Sequence, residues 1–254
     1  LGGINWDTKG SYSAKMTRDA KTGKYYLCAK TGGSPLPMGS ISIPVGSGYI
    51  ACFDKNGKYL WDKHSDVTTF IGRPALDDNG NIYLGGGILG PASKPNANFN
   101  GFVATDAGIS GGHFIVKLDK DGKNIWGAYD HVSAAPFSSG VALRSSGEVV
   151  FLGYFGGLLQ WPGYIKDTFN FPLNSGYLPF LARFSTQAGR VIGLEKLDND
   201  GSNDAYSDMI IPDGRNNVYI GGQIKGGLTV NGNSLYNVGG RNDWYVAKFG
   251  HNNC

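Results

Sequence analysis

One stretch of sequence returns at an almost constant interval, and this repetition limits the fold more than any other feature. Ile115-Val-Lys-Leu-Asp-Lys-Asp-Gly-Lys-Asn-Ile-Trp126 recurs as Ile50-Ala-Cys-Phe-Asp-Lys-Asn-Gly-Lys-Tyr-Leu-Trp61. A weaker copy is Leu181-Ala-Arg-Phe-Ser-Thr-Gln-Ala-Gly-Arg-Val-Ile192. One half reappears near the C-terminus as Tyr245-Val-Ala-Lys-Phe-Gly250, and the other half stands at the N-terminus as Gly2-Gly-Ile-Asn-Trp6. Positions 52, 117, 183 and 248 correspond, at separations of 65, 66 and 65 residues. A regular period of this kind marks a repeat architecture.

A second element precedes each copy, as in Ala75-Leu-Asp-Asp-Asn-Gly-Asn-Ile-Tyr-Leu-Gly85 and Ile211-Pro-Asp-Gly-Arg-Asn-Asn-Val-Tyr-Ile-Gly221. Ala142–Gly153 and Met16–Cys28 are its other versions. Each is a short β run, a turn of Asp, Asn, Ser and Gly, and a second β run, which predicts a hairpin. Two hairpins per repeat give a four-stranded antiparallel unit, the blade of a β-propeller. The expectation is an all-β fold, one domain over residues 1–254, with repeats at 11–61, 69–126, 138–193 and 204–250. Strand 2–7 is expected to pair with the last strand, completing a fourth blade and closing the ring. The alternative is a fragment of a longer propeller. Composition agrees: 41 of 254 residues are glycine and 13% are aromatic. Charged residues are only 17%, against about 25% in typical domains. That mixture disfavours helical bundles and disorder.

The motifs resemble the surface β-propeller repeat proteins of Bacteroidota, the SBBP-type repeats. The resemblance rests on Asp78-Asn-Gly-Asn-Ile-Tyr-Leu-Gly85, Phe114-Ile-Val-Lys-Leu-Asp-Lys-Asp-Gly122 with Trp126, Asn217-Val-Tyr-Ile-Gly221 and Asp243-Trp-Tyr-Val-Ala-Lys-Phe-Gly250. It spans nearly the whole chain and is strongest in repeats two and four. Repeat three departs from it, with Arg183 for Lys and Gly193 for Trp, and repeat one has Cys52 at the Lys position. The resemblance implies export, often by the type IX route, and an extracellular, cell-surface or periplasmic location. It implies no defined activity. A type IX sorting domain is not recognised in the sequence. The opening Leu1-Gly2-Gly3 reads as a mature or trimmed start rather than a signal peptide.

No catalytic constellation stands out, and the chain is expected not to be an enzyme. The histidines His64, His113, His131 and His251 show no metal or triad spacing and are expected on surfaces or loops. A sialidase Asp-box is absent, and only one hairpin hints at a quinoprotein. Asp54 and Asp119 are expected to shape turns rather than bind calcium, because an EF-hand's remaining ligands are missing. Calcium is considered only at Asp198, Asp200 and Asp204, where a solvated loop is the competing reading; no other cofactor is expected. Trp6, Trp61 and Trp126 are expected to pack between blades, and Tyr26, Tyr83, Phe151 and Tyr219 to share one core register.

Cys28 stands where other repeats have Gly, and Cys52 stands in the neighbouring strand of the same repeat. A Cys28–Cys52 disulfide is the expectation if their registers oppose. A net charge of +3, without basic runs, argues against nucleic acid, and no apolar run is long enough to span a membrane. The long connections 31–48, 87–112, 155–178 and 223–242 are the segments most suited to function. Phe99, Phe102, Trp161, Tyr164, Phe169 and Phe171 are their candidate partner-binding aromatics. The competing reading folds each connection back as an extra hairpin over its own blade. The expected role is a non-catalytic binding or scaffold module for a protein or cell-surface component. The alternatives are a subunit docking on an outer-membrane secretion or gliding complex, and a glycan-binding lectin or glycan-active enzyme.

Overall fold

The computed structural model describes residues 14–39, 41–89, 96–105, 111–163, 169–171, 177–199, 205–230 and 232–250. These form antiparallel sheets, and no helix occurs among the described residues. The first unit contains β1 (Lys15–Arg18), β2 (Tyr25–Lys30), the small hairpin β3 (Leu36–Met38) and β4 (Ile41–Ile43), β5 (Ser47–Phe53) and β6 (Tyr59–Ile71). The second has β7 (Ala75–Leu76), β8 (Ile82–Leu89), hairpin β9 (Ala97–Phe99) and β10 (Phe102–Ala104), β11 (Gly112–Leu118) and β12 (Asn124–Tyr129). The third has β13 (His131–Leu143), β14 (Glu148–Gln160), β15 (Phe169–Phe171), β16 (Leu178–Ser185) and β17 (Val191–Lys196). After β18 (Asp198–Asn199), the fourth has β19 (Ala205–Pro212), β20 (Val218–Ile224), hairpin β21 (Gly227–Val230) and β22 (Asn233–Tyr236), and β23 (Asp243–Phe249).

The sheet orders β1-β2-β5-β6, β13-β14-β16-β17 and β19-β20-β23 repeat the same meander. In the second unit the end of β6 joins β7 as the first strand, since Thr68–Ile71 pairs with residues 86–89 of β8. The paired hairpin positions fall as the repeat implies: Cys52 opposite Trp61, Lys117 opposite Trp126 and Arg183 opposite Gly193. Each is followed by a register shift before the turn, so all three hairpins carry the same bulge.

The turns are built by aspartate. Asp54, Asp77, Asp119 and Asp213 each use Oδ1 to accept the backbone N–H groups two and four residues on. A glycine at positive φ, such as Gly57 (80°) or Gly122 (81°), then reverses the chain. The carboxylates of Asp54 and Asp119 are thus spent on their own turns.

In the first three units both faces of the inner strands are buried, because each of those sheets is covered on both sides. One buried cluster joins Tyr26, Cys28, Ile50 and Cys52 of the first unit to Ile82, Leu84, Phe114 and Val116 of the second. Another joins Tyr83 and Ile115 to Phe151, Phe180 and Phe184 of the third. A third joins Val150, Leu152 and Leu181 to Ile210, Ile220, Tyr245 and Phe249 of the fourth. One register reading needs correction. Val150, not Phe151, is the counterpart of Tyr26, Tyr83 and Tyr219, because Val150 faces Arg183 as Tyr83 faces Lys117. Phe151 therefore points to the opposite face, against the second unit.

The two described tryptophans of the repeat pack between units. A Cβ added to Gly122 would lie 3.1 Å from the Trp61 ring, and one added to Gly189 would lie 2.5 Å from Trp126. Trp6 lies outside the described residues. The third unit has no such Trp because the Arg183 guanidinium occupies that space, 2.4 Å from where a Cβ on Gly193 would be. The fourth unit differs in another way. Ile50, Ile115 and Leu181 are fully buried, whereas their counterpart Val246 is 65% exposed. Tyr219, expected in the core, is likewise exposed on that face.

The first strands of the units lie together. Lys15 Nζ donates to the Ser139 carbonyl (3.0 Å) and Thr17 Oγ1 to the Pro74 carbonyl (2.9 Å). Arg73 and Gly140 form a parallel bridge, and Ser139 Oγ donates to the Ser207 carbonyl.

Candidate functional site

Among the described side chains, the expected aromatic binding surface does not form. Trp161 is 1% exposed and sits between Phe151 and Phe184, with ring centroids 6.1 and 4.9 Å away. The reason is that β14 runs on to Gln160, turning Leu158–Gln160 from loop into strand and delivering Trp161 to the core. Phe99 is buried against Phe114, and Phe102 packs edge-on to Tyr129 beside the same cluster. Phe169 is half-buried against Phe155. Phe171 pairs through its backbone with Gly157. Tyr164 lies outside the described residues. The long connections fold back as hairpins: β3–β4, β9–β10, β21–β22, and β15 added to β14.

The cysteine expectation is also corrected. Cys28 and Cys52 are both free and buried. Cys28 lies opposite Ile50 and Cys52 opposite Tyr26, so the two sit diagonally rather than face to face. Burial raises both thiols, Cys52 to about 11. Cys28 also fits where its counterpart Gly85 must remain glycine. A Cβ on Gly85 would lie 2.6 Å from the Phe151 ring, whereas the second unit presents the smaller Leu84 at the position of Phe151.

Asp198 lies in β18, where Lys196 pairs with it; Asp200 and Asp204 lie outside the described residues. No group of three or more metal-ligating side chains occurs among the described residues.

His113 is not a surface residue. It is fully buried with Asp130, Nδ1 lying 2.8 Å from Oδ2 and Nε2 lying 3.1 Å from the Tyr154 carbonyl. Neither ring nitrogen is open to a ligand, so the pair ties the second unit to the third. Counting outward from the Lys117–Trp126 pair would have placed Asp130 opposite His113.

The site that gathers residues from every repeat lies among the first strands. A cavity of about 290 Å³ is lined by Lys15 and Lys30 of the first unit, Phe70 of the second and Phe137–Ser139 with Tyr154 of the third. Ser207 and Asp208 of the fourth complete it. A second cavity of about 230 Å³ is lined by Thr17, Arg73–Leu76, Val141–Leu143 and Ile210–Pro212, the next residues along the same four strands. All four strands thus run in one direction from the first cavity to the second.

The first cavity has an aromatic wall and a charged rim. Phe137 is stacked on Tyr154 (5.2 Å, 24°) and touches Phe70 at 4.7 Å, while Tyr154 meets Tyr206 edge-on at 5.6 Å. Lys30 Nζ stands 4.1 Å above the Phe70 ring. Burial lowers the Lys15 ammonium, and the nearby Asp208 carboxylate opposes that shift. Burial also lowers Lys30 and raises Tyr154. Ser139 and Ser207 are buried; the Ser139 hydroxyl donates to the Ser207 carbonyl, and the Ser207 and Tyr245 hydroxyls share a hydrogen bond. The arrangement can hold a small polar ligand.

The chain matches no protein-family model and no curated protein.

Proposed function

We propose that the chain is a four-bladed β-propeller that serves as a non-catalytic, exported binding module of the cell envelope, with the first cavity as its ligand site. The observation carrying this reading is the convergence of all four repeats on that cavity. Parallel first strands around a common axis support the propeller arrangement. Strand 2–7 beside β23 would supply the fourth strand of the last blade. Closure against the first unit would cover Val246 and Trp244, which is 71% exposed. A docking subunit was expected to present an apolar patch at 158–171. Leu159 and Trp161 are instead buried in the core, and only Leu158, 38% exposed, opens an apolar side chain among residues 158–161, which weakens that alternative.

Incubation of the intact protein with small molecules extracted from cell envelopes, followed by mass spectrometry of what it retains, tests the reading. The wild type should enrich a ligand unchanged, and Ser138→Trp, which fills the cavity, should not. Equal retention by both proteins, or conversion of the ligand to a product, would overturn it.

A further inference from the structure

The chemistry of the cavity also indicates what it selects. We propose that it binds a small carboxylate whose body has a flat, CH-rich face, namely an acidic monosaccharide such as a uronate. This rests on the reading of the cavity as a ligand site.

Three features of the lining converge on that class. The first is size: about 290 Å³ lies close to the lower end of the range of roughly 300–1,000 Å³ for ligand sites, which suits a ligand of one sugar ring. The second is charge. The lining carries two lysines, Lys15 and Lys30, and one carboxylate, Asp208, a positive balance that favours an anion over a cation. An ammonium has three donors, and Lys15 directs one of them to the Ser139 carbonyl. Partial burial weakens competition from water and strengthens its attraction for a carboxylate.

The third is shape. Phe70, Phe137 and Tyr154 form one cluster of touching rings, Phe137 stacked on Tyr154 and tilted 55° to Phe70, with Tyr177 and Tyr206 packed against Tyr154. An inorganic anion gains nothing from such an apolar wall, whereas the C–H face of a pyranose can pack against it. Ser138 adds a hydroxyl beside that wall, directed to the Leu152 carbonyl at 3.3 Å and able to accept from a sugar hydroxyl. Lys15 comes from β1 and Lys30 from the end of β2, so both reach the cavity from the first unit while the ring wall comes from the second and third. A ligand bridging them would contact three repeats at once.

Titration calorimetry on the intact chain tests this with D-glucuronate and D-galacturonate, the neutral sugars glucose and galactose, and inorganic phosphate. The uronates should bind at least about tenfold more tightly than either the neutral sugars or phosphate. Lys15→Met and Lys30→Met should each weaken uronate binding about tenfold, and Phe137→Leu should weaken uronate but not phosphate. Thermal melts of each variant establish that it is folded, and Lys58→Met, remote from the cavity, serves as control. Equal affinity for neutral sugars, or phosphate matching the uronates, overturns the acidic-sugar assignment while leaving a ligand site that Ser138→Trp still blocks. Absence of uronate binding overturns the assignment as well. Absence of binding by every compound here and in the envelope extract overturns the ligand site itself.

Discussion

The interface between the second and third units and the interface between the third and fourth use the same strand positions with opposite chemistry. In the former, Lys117 Nζ and Trp126 Nε1 both donate to the Thr186 carbonyl at 3.0 Å, and the indole covers the turn at Gly189. In the latter, Arg183 replaces Lys, Gly193 replaces Trp, and an ionic chain takes over. Glu148 receives Arg144 and Arg183, each at 3.3 Å, while Arg183 reaches Glu195 and Arg144 donates to the Phe249 carbonyl. The backbone scaffold therefore does not dictate how neighbouring units adhere. It fixes which positions meet, and either an aromatic plate or a buried charge network can fill the space.

The two solutions should break differently. Removing the Glu148 carboxylate leaves the Arg144 guanidinium, 2% exposed, without its counter-charge. Glu148→Ala should cost about 3–5 kcal/mol in urea denaturation, the range for breaking one half of a buried pair. A loss under about 1 kcal/mol would mean the network is only decorative. The aromatic interface should be softer. Trp126→Phe keeps most of the ring but loses the bond to Thr186, which should cost about 1 kcal/mol. The equivalent Trp61 Nε1 is buried and has no acceptor among the described residues. Trp61→Phe should therefore change stability by less than about 0.5 kcal/mol. Equal losses for both would show that the indole N–H is irrelevant to the interface.

The finest contrast is at Cys52, the counterpart of Lys117. Burial holds its thiol up at about 11, from an ordinary value of 9.0. A raised folded value means that the contribution is complete below pH 9 and is lost as pH climbs toward 11. Wild-type protein should thus lose stability more steeply across that window than Cys52→Ala, measured by denaturation midpoints. Parallel slopes would place the alkaline weakness in the buried tyrosines instead, among them Tyr49 and Tyr245, raised to about 12.

Much of this was legible in the sequence. The first two hairpin registers were legible because the same nine-residue spacing separates Cys52 from Trp61 and Lys117 from Trp126, while the third turn is one residue longer. The Asp-Gly turns were legible for the same reason. Trp161 was not, because a strand running on past its expected end looks the same as an apolar loop. The cavity was invisible for a different reason. Lys15, Phe70, Phe137 and Asp208 each belong to a different repeat, and no local pattern connects them. His113 lay between these extremes: its partner could be found by extending a known pairing, but nothing in its own neighbourhood marked it.

The aspartate turns also bear on how the protein ages. Asn56-Gly57 and Asn79-Gly80 are the kind of dipeptide that deamidates fastest, because the glycine nitrogen can swing round to attack the asparagine side chain. Here each glycine N–H is already bonded to an aspartate carbonyl, Asp54 or Asp77, at 3.0 Å, and each asparagine N–H to the carboxylate of the same residue. A nitrogen whose proton is donated in this way is less able to lose it and attack the neighbouring side chain. The fold thus makes two fragile sequences into long-lived ones, and their lifetimes should collapse together only when the turns themselves unfold.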